Sequence, residues 1–407
     1  MTLKTITVIT ALAVLTGCQT VNVKPSEVKA VPIEGYQAPE TNMERRSSMR
    51  FERPDYLNHI NSSATVGDFD NDGVLEYAQV RTNQDYLEYM SVSGNKSAAE
   101  NLKALKKAQW SEYLEFFEVP PNSATKFDTK PVVSKNLLVK GDTSGCLHGV
   151  AVLVGDLNAD GFLDLVIPCH GFDLRPWPGA ISYVLLNNGE GEFSSQKLEN
   201  DPQFSHRGEL ADLDNDGDLD IMMAQSNRVA LYRNDGNGNF GSPKIIMRAP
   251  GGIGVVGASD FNGDGFTDLA VAGHEDDFNG GGTIRSRIFW NDGGTDFGKG
   301  PVTFLPSKKG YGIVVDFQVS EDKLFVVRTE QKRDRGYIGA GIQQIDLNTG
   351  EEVGFFSRPG PHPAIMHQLK TRSGEEYFGS LEDYRRSGDF YLNEGKATSV
   401  YDGAFKK

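Results

Sequence analysis

At 407 residues the chain could hold roughly two or three average domains, although one propeller or barrel absorbs the same length. A formal charge of −15 argues against nucleic-acid binding, which needs a basic face. With 38 % hydrophobic residues and 46 glycines, the composition suits a loop-rich β protein better than a helical bundle.

The chain opens with Lys4 and an apolar run from Ile6 to Leu15, too short to span a bilayer as a mature helix. Leu15-Thr16-Gly17-Cys18 resembles the bacterial lipobox. The resemblance implies a signal peptide over residues 1–17, cleavage before Cys18 and acylation of that cysteine. Several acyl chains anchor stably where one does not. Gln19 in place of Asp points by the same resemblance to an outer-membrane lipoprotein. Residues 18–50, with Pro25, Pro32 and Pro39 and little periodicity, read as a flexible tether, and the folded domain is expected over 51–407. With Cys18 on lipid, Cys146 and Cys169 remain. In an oxidising compartment the expected outcome is a disulfide; the rival is a metal cluster with His148 and His170.

The first acidic loop is Asp68-Phe69-Asp70-Asn71-Asp72-Gly73-Val74-Leu75-Glu76, between short strands at 64–67 and 77–81. Residues 97–118 then break the β rhythm. Ser97 and Glu100 form a capping box, and Leu102, Leu105, Trp110, Tyr113, Leu114 and Phe117 recur at helical spacing, so a helical insertion is expected there. Three further loops follow: Asp156 to Asp164, Asp212 to Asp220 and Asp260 to Asp268. Asp212-Leu213-Asp214-Asn215-Asp216-Gly217-Asp218-Leu219-Asp220 is the fullest copy. Carboxylates at positions 1, 3, 5 and 9 of one tight turn repel each other unless a hard cation such as Ca²⁺ gathers them.

Behind each of the last three loops lie an apolar strand, another strand and a hairpin turn, at Asn187-Asn188-Gly189, Asn234-Asp235-Gly236 and Asn291-Asp292-Gly293. The unit is a four-stranded sheet. Val314 to Phe317 starts a fifth unit in which Gln318, Ser320 and Lys323 replace ligands and glycine, so no metal is expected there. A sixth unit is visible in 364–369, 376–380 and 390–393. Four-stranded units repeated around an axis protect their sheet edges, so the expected fold is an all-β propeller with one inserted helix.

These units resemble FG-GAP/VCBS repeats, as in the β-propeller of integrin α-subunits and many secreted bacterial proteins. The resemblance covers residues 60–300 well and 300–405 weakly. It implies seven blades, of which six are visible; the seventh is sought in residues 120–145 or in pairing of 48–60 with the C-terminal strand. It also implies structural Ca²⁺ in three to four loops, held at positions 1, 3, 5 and 9 and by the carbonyl at 7. The ligands would be Asp68, Asp70, Asp72, Val74 and Glu76; Asp156, Asn158, Asp160, Phe162 and Asp164; Asp212, Asp214, Asp216, Asp218 and Asp220; and Asp260, Asn262, Asp264, Phe266 and Asp268. Four such ions bring the charge to −15 + 8 = −7. The Cys146-Leu147-His148, Cys169-His170-Gly171 and Pro176-Trp177-Pro178-Gly179 stretches resemble a subgroup of exported bacterial FG-GAP proteins.

No nucleophile elbow, phosphate loop, His-Glu-x-x-His or dinucleotide fingerprint is present. A binding module for a glycan or protein is therefore the expected function. The alternative is a polysaccharide lyase or other glycan-active enzyme using His148, His170, His206, Tyr183 and Arg207. A general base and a cation for a uronic-acid carboxylate would then converge in one cleft.

Overall fold

The computed structural model describes residues 59–71, 76–83, 96–105, 112–118, 133–136, 146–189, 192–275, 284–293, 297, 299–320, 322–332, 336–358, 367–370 and 376–379. Cys18, the leader, the tether, Asp72, Val74 and everything beyond Gly379 lie outside them. Five four-stranded antiparallel sheets follow one another along the chain, and in each the strands lie side by side in sequence order. The first holds β1 (His59–Gly67), β2 (Glu76–Asn83), β3 (Glu112–Glu118) and β4 (Val133–Asn136). The second holds β5 (Leu153–Gly155), β6 (Asp164–Ile167), β7 (Tyr183–Asn187) and β8 (Phe193–Lys197). The third holds β9 (Ser205–Ala211), β10 (Asp220–Gln225), β11 (Arg228–Tyr232) and β12 (Lys244–Arg248). The fourth holds β13 (Ile253–Ser259), β14 (Asp268–Gly273), β15 (Arg287–Phe289) and β16 (Val302–Phe304). The fifth holds β17 (Ile313–Ser320), β18 (Lys323–Lys332), β19 (Gly336–Asp346) and β20 (Glu352–Arg358), and β21 (His367–Lys370) pairs with β22 (Glu376–Gly379).

These sheets are the blades of a propeller. First strands of neighbouring blades touch, β1 with β5, β5 with β9, β9 with β13 and β13 with β17, so they line the axis. Second strands are the driest. Every residue of β10 and β14 is buried, which is why Ile221 to Ala224 and Leu269 to Ala272 are unbroken apolar runs. Successive residues of β10 face opposite neighbours. Ile221 and Met223 pack with Leu157, Val166 and Val184 of the second blade, while Met222 and Ala224 pack with Ile253, Leu269 and Val271 of the fourth. Fourth strands lie outside, with both ends of β12 exposed.

The helix is shorter than its periodicity suggested. α1 (Ala98–Leu105) has the expected capping box, Ser97 Oγ donating to Glu100 Oε2 at 2.6 Å and Ser97 N–H to the same oxygen at 2.8 Å. Residues 112–118 are instead β3, paired with β2 on one side and β4 on the other. The third and fourth strands of the first blade therefore come from segments assigned to the helix and to a candidate extra blade. Cross-strand pairing overrides the apparent helical spacing of Tyr113, Leu114 and Phe117.

Blades are joined to one another by the hairpin asparagines. In the second, third and fourth blades the amide of Asn187, Asn234 or Asn291 donates twice. One bond goes to the eighth carbonyl of its own acidic loop, Leu163, Leu219 or Thr267, at 3.1, 3.0 and 3.1 Å. The other reaches back to the second carbonyl of the preceding blade's loop, Phe69, Leu157 or Leu213, at 2.7, 2.8 and 3.4 Å. Phe69, Leu157 and Leu213 are themselves buried, so both donors and acceptors are out of water and depend on each other.

Asn234→Ala should therefore cost about 2–3 kcal/mol of unfolding free energy, because two buried carbonyls lose their donor. The exposed Asn239→Ala should cost under about 1 kcal/mol. Urea denaturation of both variants checks this.

Candidate functional site

Each acidic loop is built on the same backbone. Position 4 is left-handed in all four, at Asn71, Ala159, Asn215 and Gly263 with φ of 57°, 56°, 60° and 75°. Asn and Gly tolerate this conformation; Ala159 bears a steric cost of about 1 kcal/mol. The ninth aspartate is fully buried at Asp164, Asp220 and Asp268. Its two oxygens accept from the backbone N–H of loop position 2 and from that of the hairpin asparagine. These bonds measure 2.8 and 2.8 Å at Asp164, 3.4 and 2.9 Å at Asp220, and 3.0 and 2.8 Å at Asp268. Burial pushes each of the three carboxyls up to about 6, against the lowering effect of those amides.

The loops differ at their mouths. In the second and fourth, the first aspartate caps the loop's own amides: Asp156 accepts from Asp160 and Gly161 at 3.2 and 2.9 Å, and Asp260 from Asp264 and Gly265 at 3.1 and 2.9 Å. In the third, Asp212, Asp214 and Asp216 each bring an oxygen within 4.8 Å of the others. Asp212 Oδ1 and Asp214 Oδ1 there are buried and make no hydrogen bond. Two orphaned carboxylate oxygens beside a third carboxylate fit a hard dication such as Ca²⁺. In the first loop Asp68 is half-buried and Asp70 exposed, while Glu76 opens β2.

The second cluster lies between the second and third blades. A disulfide joins Cys146 to Cys169, so the metal-cluster rival for these cysteines is set aside. Around it His170 N–H donates to His148 O at 2.9 Å and Gly171 N–H to Leu147 O at 2.8 Å. This pairing fixes His148, left-handed at φ 57°, beside His170. His206 occupies a β-bulge: Arg207 pairs with Ala224 and Ser205 with Gln225, leaving His206 as the extra residue. Bulges re-aim side chains. The imidazole of His206 meets His170, Nδ1 to Nε2 at 3.2 Å, and His148 packs edge-on to His170 with centroids 5.2 Å apart. Phe204 closes the group at 3.9 Å from His170.

Thus the three histidines singled out from sequence converge. Tyr183 is buried in the core between the first and second blades. Arg207 follows His206 on β9. Sequence reading missed Glu209, two residues further along, whose carboxyl burial pushes up to about 7 with Asp316 adding to the rise and Arg207 opposing it. It also missed His274, whose charge acts on His206. Their environment depends on β9 packing on β13, and β13 and β14 on β17, which no local pattern reveals.

The exposed rim of this region is the turn from Arg175 to Gly179. Trp177 is left-handed at φ 53° and 48 % exposed, and the Arg175 guanidinium lies 5.2 Å from its ring centre. Asn101 of α1, buried, donates from its side chain to Arg175 O at 2.8 Å, so the helix holds the turn. Gly171 and Gly179 pack backbone against backbone, and a Cβ on either would overlap its neighbour.

Residues 212–271, spanning the third and fourth acidic loops, match the model of the FG-GAP-like repeat. The chain is a β-propeller that carries an FG-GAP-like repeat at these residues. Integrin alpha-PS3 of Drosophila melanogaster is 29 % identical over 161 residues, which is 34 % of this chain and 14 % of that protein. Integrin alpha-4 of Xenopus laevis is 29 % identical over 152 residues, 32 % of this chain and 15 % of that one. The matches thus span about a seventh of the length of these relatives. Among solved structures, the C-terminal domain of Pseudomonas aeruginosa PilY1 superposes over 82 % of this chain and 83 % of its own, with 9 % identity and a TM-score of 0.45.

Burial lowers the His206 imidazole to about 3 and that of His148 to about 4, and holds His170 well below the ordinary 6.5, with the neighbouring imidazoles adding to the last. Folded values below unfolded ones mean stability that is present above 6.5 and lost as pH falls through the folded values. The wild-type melting temperature should therefore drop from pH 6.5 toward 4 more steeply than that of His206→Asn. In imidazole NMR spectra the rings of His148 and His206 should stay neutral to about pH 5; a ring titrating near its ordinary value contradicts this.

Proposed function

We propose that this FG-GAP-repeat propeller is a calcium-stabilised binding module of the bacterial cell envelope, engaging an extracellular glycan or protein. The observation that carries the reading is Trp177. A large indole stands in solvent beside a guanidinium, on a turn that α1 and two packed glycine backbones hold in place. Rigid aromatic and arginine side chains contribute most of the energy at protein interfaces. A flat ring with an adjacent cation also suits an acidic sugar. Likeness to integrin α-subunits supports an interaction role for the scaffold.

In the second to fourth loops the buried ninth aspartate ties loop to hairpin, and the first, third and fifth side chains with the seventh carbonyl would hold the ion. Ca²⁺ supplies charge neutralisation that lets the turn close, and no reaction step is assigned to it. The lipobox resemblance at Leu15 to Cys18 supports tethering to the outer membrane through Cys18.

A second reading, a glycan-active enzyme such as a polysaccharide lyase, is favoured by one observation. His148, His170 and His206 meet, all neutral at pH 7, and, further along the same strand as His206, burial pushes the Glu209 carboxyl up to about 7. A neutral imidazole accepts a proton and a carboxyl at that value gives one up.

Chelator should lower the melting temperature by at least about 5 °C, and added Ca²⁺ should restore it. An unchanged melt, with no metal in the purified protein, contradicts the calcium reading. On a glycan array and against envelope proteins, Trp177→Ala should weaken binding by about tenfold or more without shifting the melt. Cleavage of an acidic polysaccharide that His206→Asn abolishes would establish the enzyme instead.

A further inference from the structure

The blades are copies of one another, so each serves as a reference for its siblings. Just before the hairpin asparagine, the second blade has Leu186, the fourth Trp290 and the third Arg233. At loop position 3 the second and fourth have Asn158 and Asn262, and the third has Asp214. The two departures fall in one blade, and they touch. Arg233 Nη1 lies 3.0 Å from Asp214 Oδ2 and also binds Asp220 Oδ2. Over positions 1, 3, 5 and 9 the second and fourth loops each carry three carboxylates, while the third carries four, as the first does with Asp68, Asp70, Asp72 and Glu76; the guanidinium returns the third loop to the sum of the second and fourth, −4 + 1 = −3. In those two the neutral amide takes that part: Asn158 Nδ2 donates to Asp160 Oδ2 and Asn262 Nδ2 to Asp264 Oδ2, both at 2.9 Å.

The guanidinium engages only the outer oxygen of Asp214. Oδ1 of Asp214 and Oδ1 of Asp212 stay buried without a hydrogen bond. Arg233 therefore neutralises the extra acid without filling the mouth of the loop.

We propose that Arg233 is a built-in counter-cation of the third acidic loop: it lowers that loop's affinity for Ca²⁺ to the level of the second and fourth loops, and it holds positions 3 and 9 together when no ion is bound. The first half rests on the calcium reading above; the second does not. Affinity in oxygen-ligand loops follows the charge of the ligand set, so removing the arginine tightens the site. With no ion, the same change leaves four carboxylates on one turn with no partner cation.

The test uses the full chain with Arg233→Leu, Asp214→Asn and the double variant, which gives the third blade the residue types of the second at both positions. Ca²⁺ is titrated calorimetrically into chelator-stripped protein, and melts are recorded in excess chelator. Arg233→Leu should bind one Ca²⁺ about tenfold tighter and melt lower in chelator. Asp214→Asn should bind that ion about tenfold more weakly, and the double variant should return to within about threefold of wild type in affinity and to its chelator melt. An Arg233→Leu protein with an unchanged isotherm and an unchanged chelator melt overturns the proposal. If Arg233→Leu does not fold, Asp214→Asn and the double variant still differ only by the arginine, and equal affinities and equal chelator melts between them overturn it. If none of the proteins binds Ca²⁺, the calcium reading fails by itself. The chelator melts then decide the arginine: a loss in Arg233→Leu that Asp214→Asn repairs supports it, and equal melts overturn it.

Discussion

The middle of this propeller depends on how a buried carboxylate is kept satisfied at the start of the second strand in its second, third and fourth blades. Asp164, Asp220 and Asp268 have no exposure, and each accepts from two backbone amides, one in its acidic loop and one at the hairpin asparagine. That asparagine in turn donates to its own loop and to the loop of the preceding blade. A single aspartate thereby ties together the loop, the hairpin and the blade behind. An unpaired carboxylate at such a depth is costly enough that the three pieces must arrive together. The acidic loop mouths and the exposed turn at Arg175 to Gly179 are both mounted on this frame.

Much of the frame was legible in the sequence. Regular spacing of Asp, Gly and Asn-containing turns marks strands, loops and hairpins, because a tight turn admits few residue types. Position 9 was read as a metal ligand, whereas its carboxylate already serves the backbone; one residue can do both, and spacing does not say which. The asparagines at 187, 234 and 291 read only as turn formers, since their second partner is 77, 78 or 118 residues away along the chain. The segment 112–118 read as helix because aromatic and leucine positions in a strand can mimic helical spacing over two turns. Its true neighbours, β2 and β4, are not local.

The histidine cluster shows the opposite balance. His148, His170 and His206 were found by residue type and by lying beside odd, irregular stretches. What sequence lacked was their relation. A left-handed backbone at His148, a disulfide beside it and a bulge at His206 bring them into contact. Equivalent bulges fall at Ser62, Gly254 and Val315 in other first strands. The bulge belongs to the blade design, and only in the third blade does it carry an imidazole. His274, just past the end of β14, acts on His206 from another blade, which no local pattern announces.

The seams between blades are sewn in both directions along the chain. In the second to fourth blades the hairpin asparagine donates back to a carbonyl synthesised earlier. At two of those seams another amide donates forward: Gln196 of the second blade to Gly238 O of the third, and Asn215 of the third to Gly265 O of the fourth. Neither blade of such a pair meets all its needs until both are present, so removing the neighbour on either side would leave both a donor and an acceptor unmet.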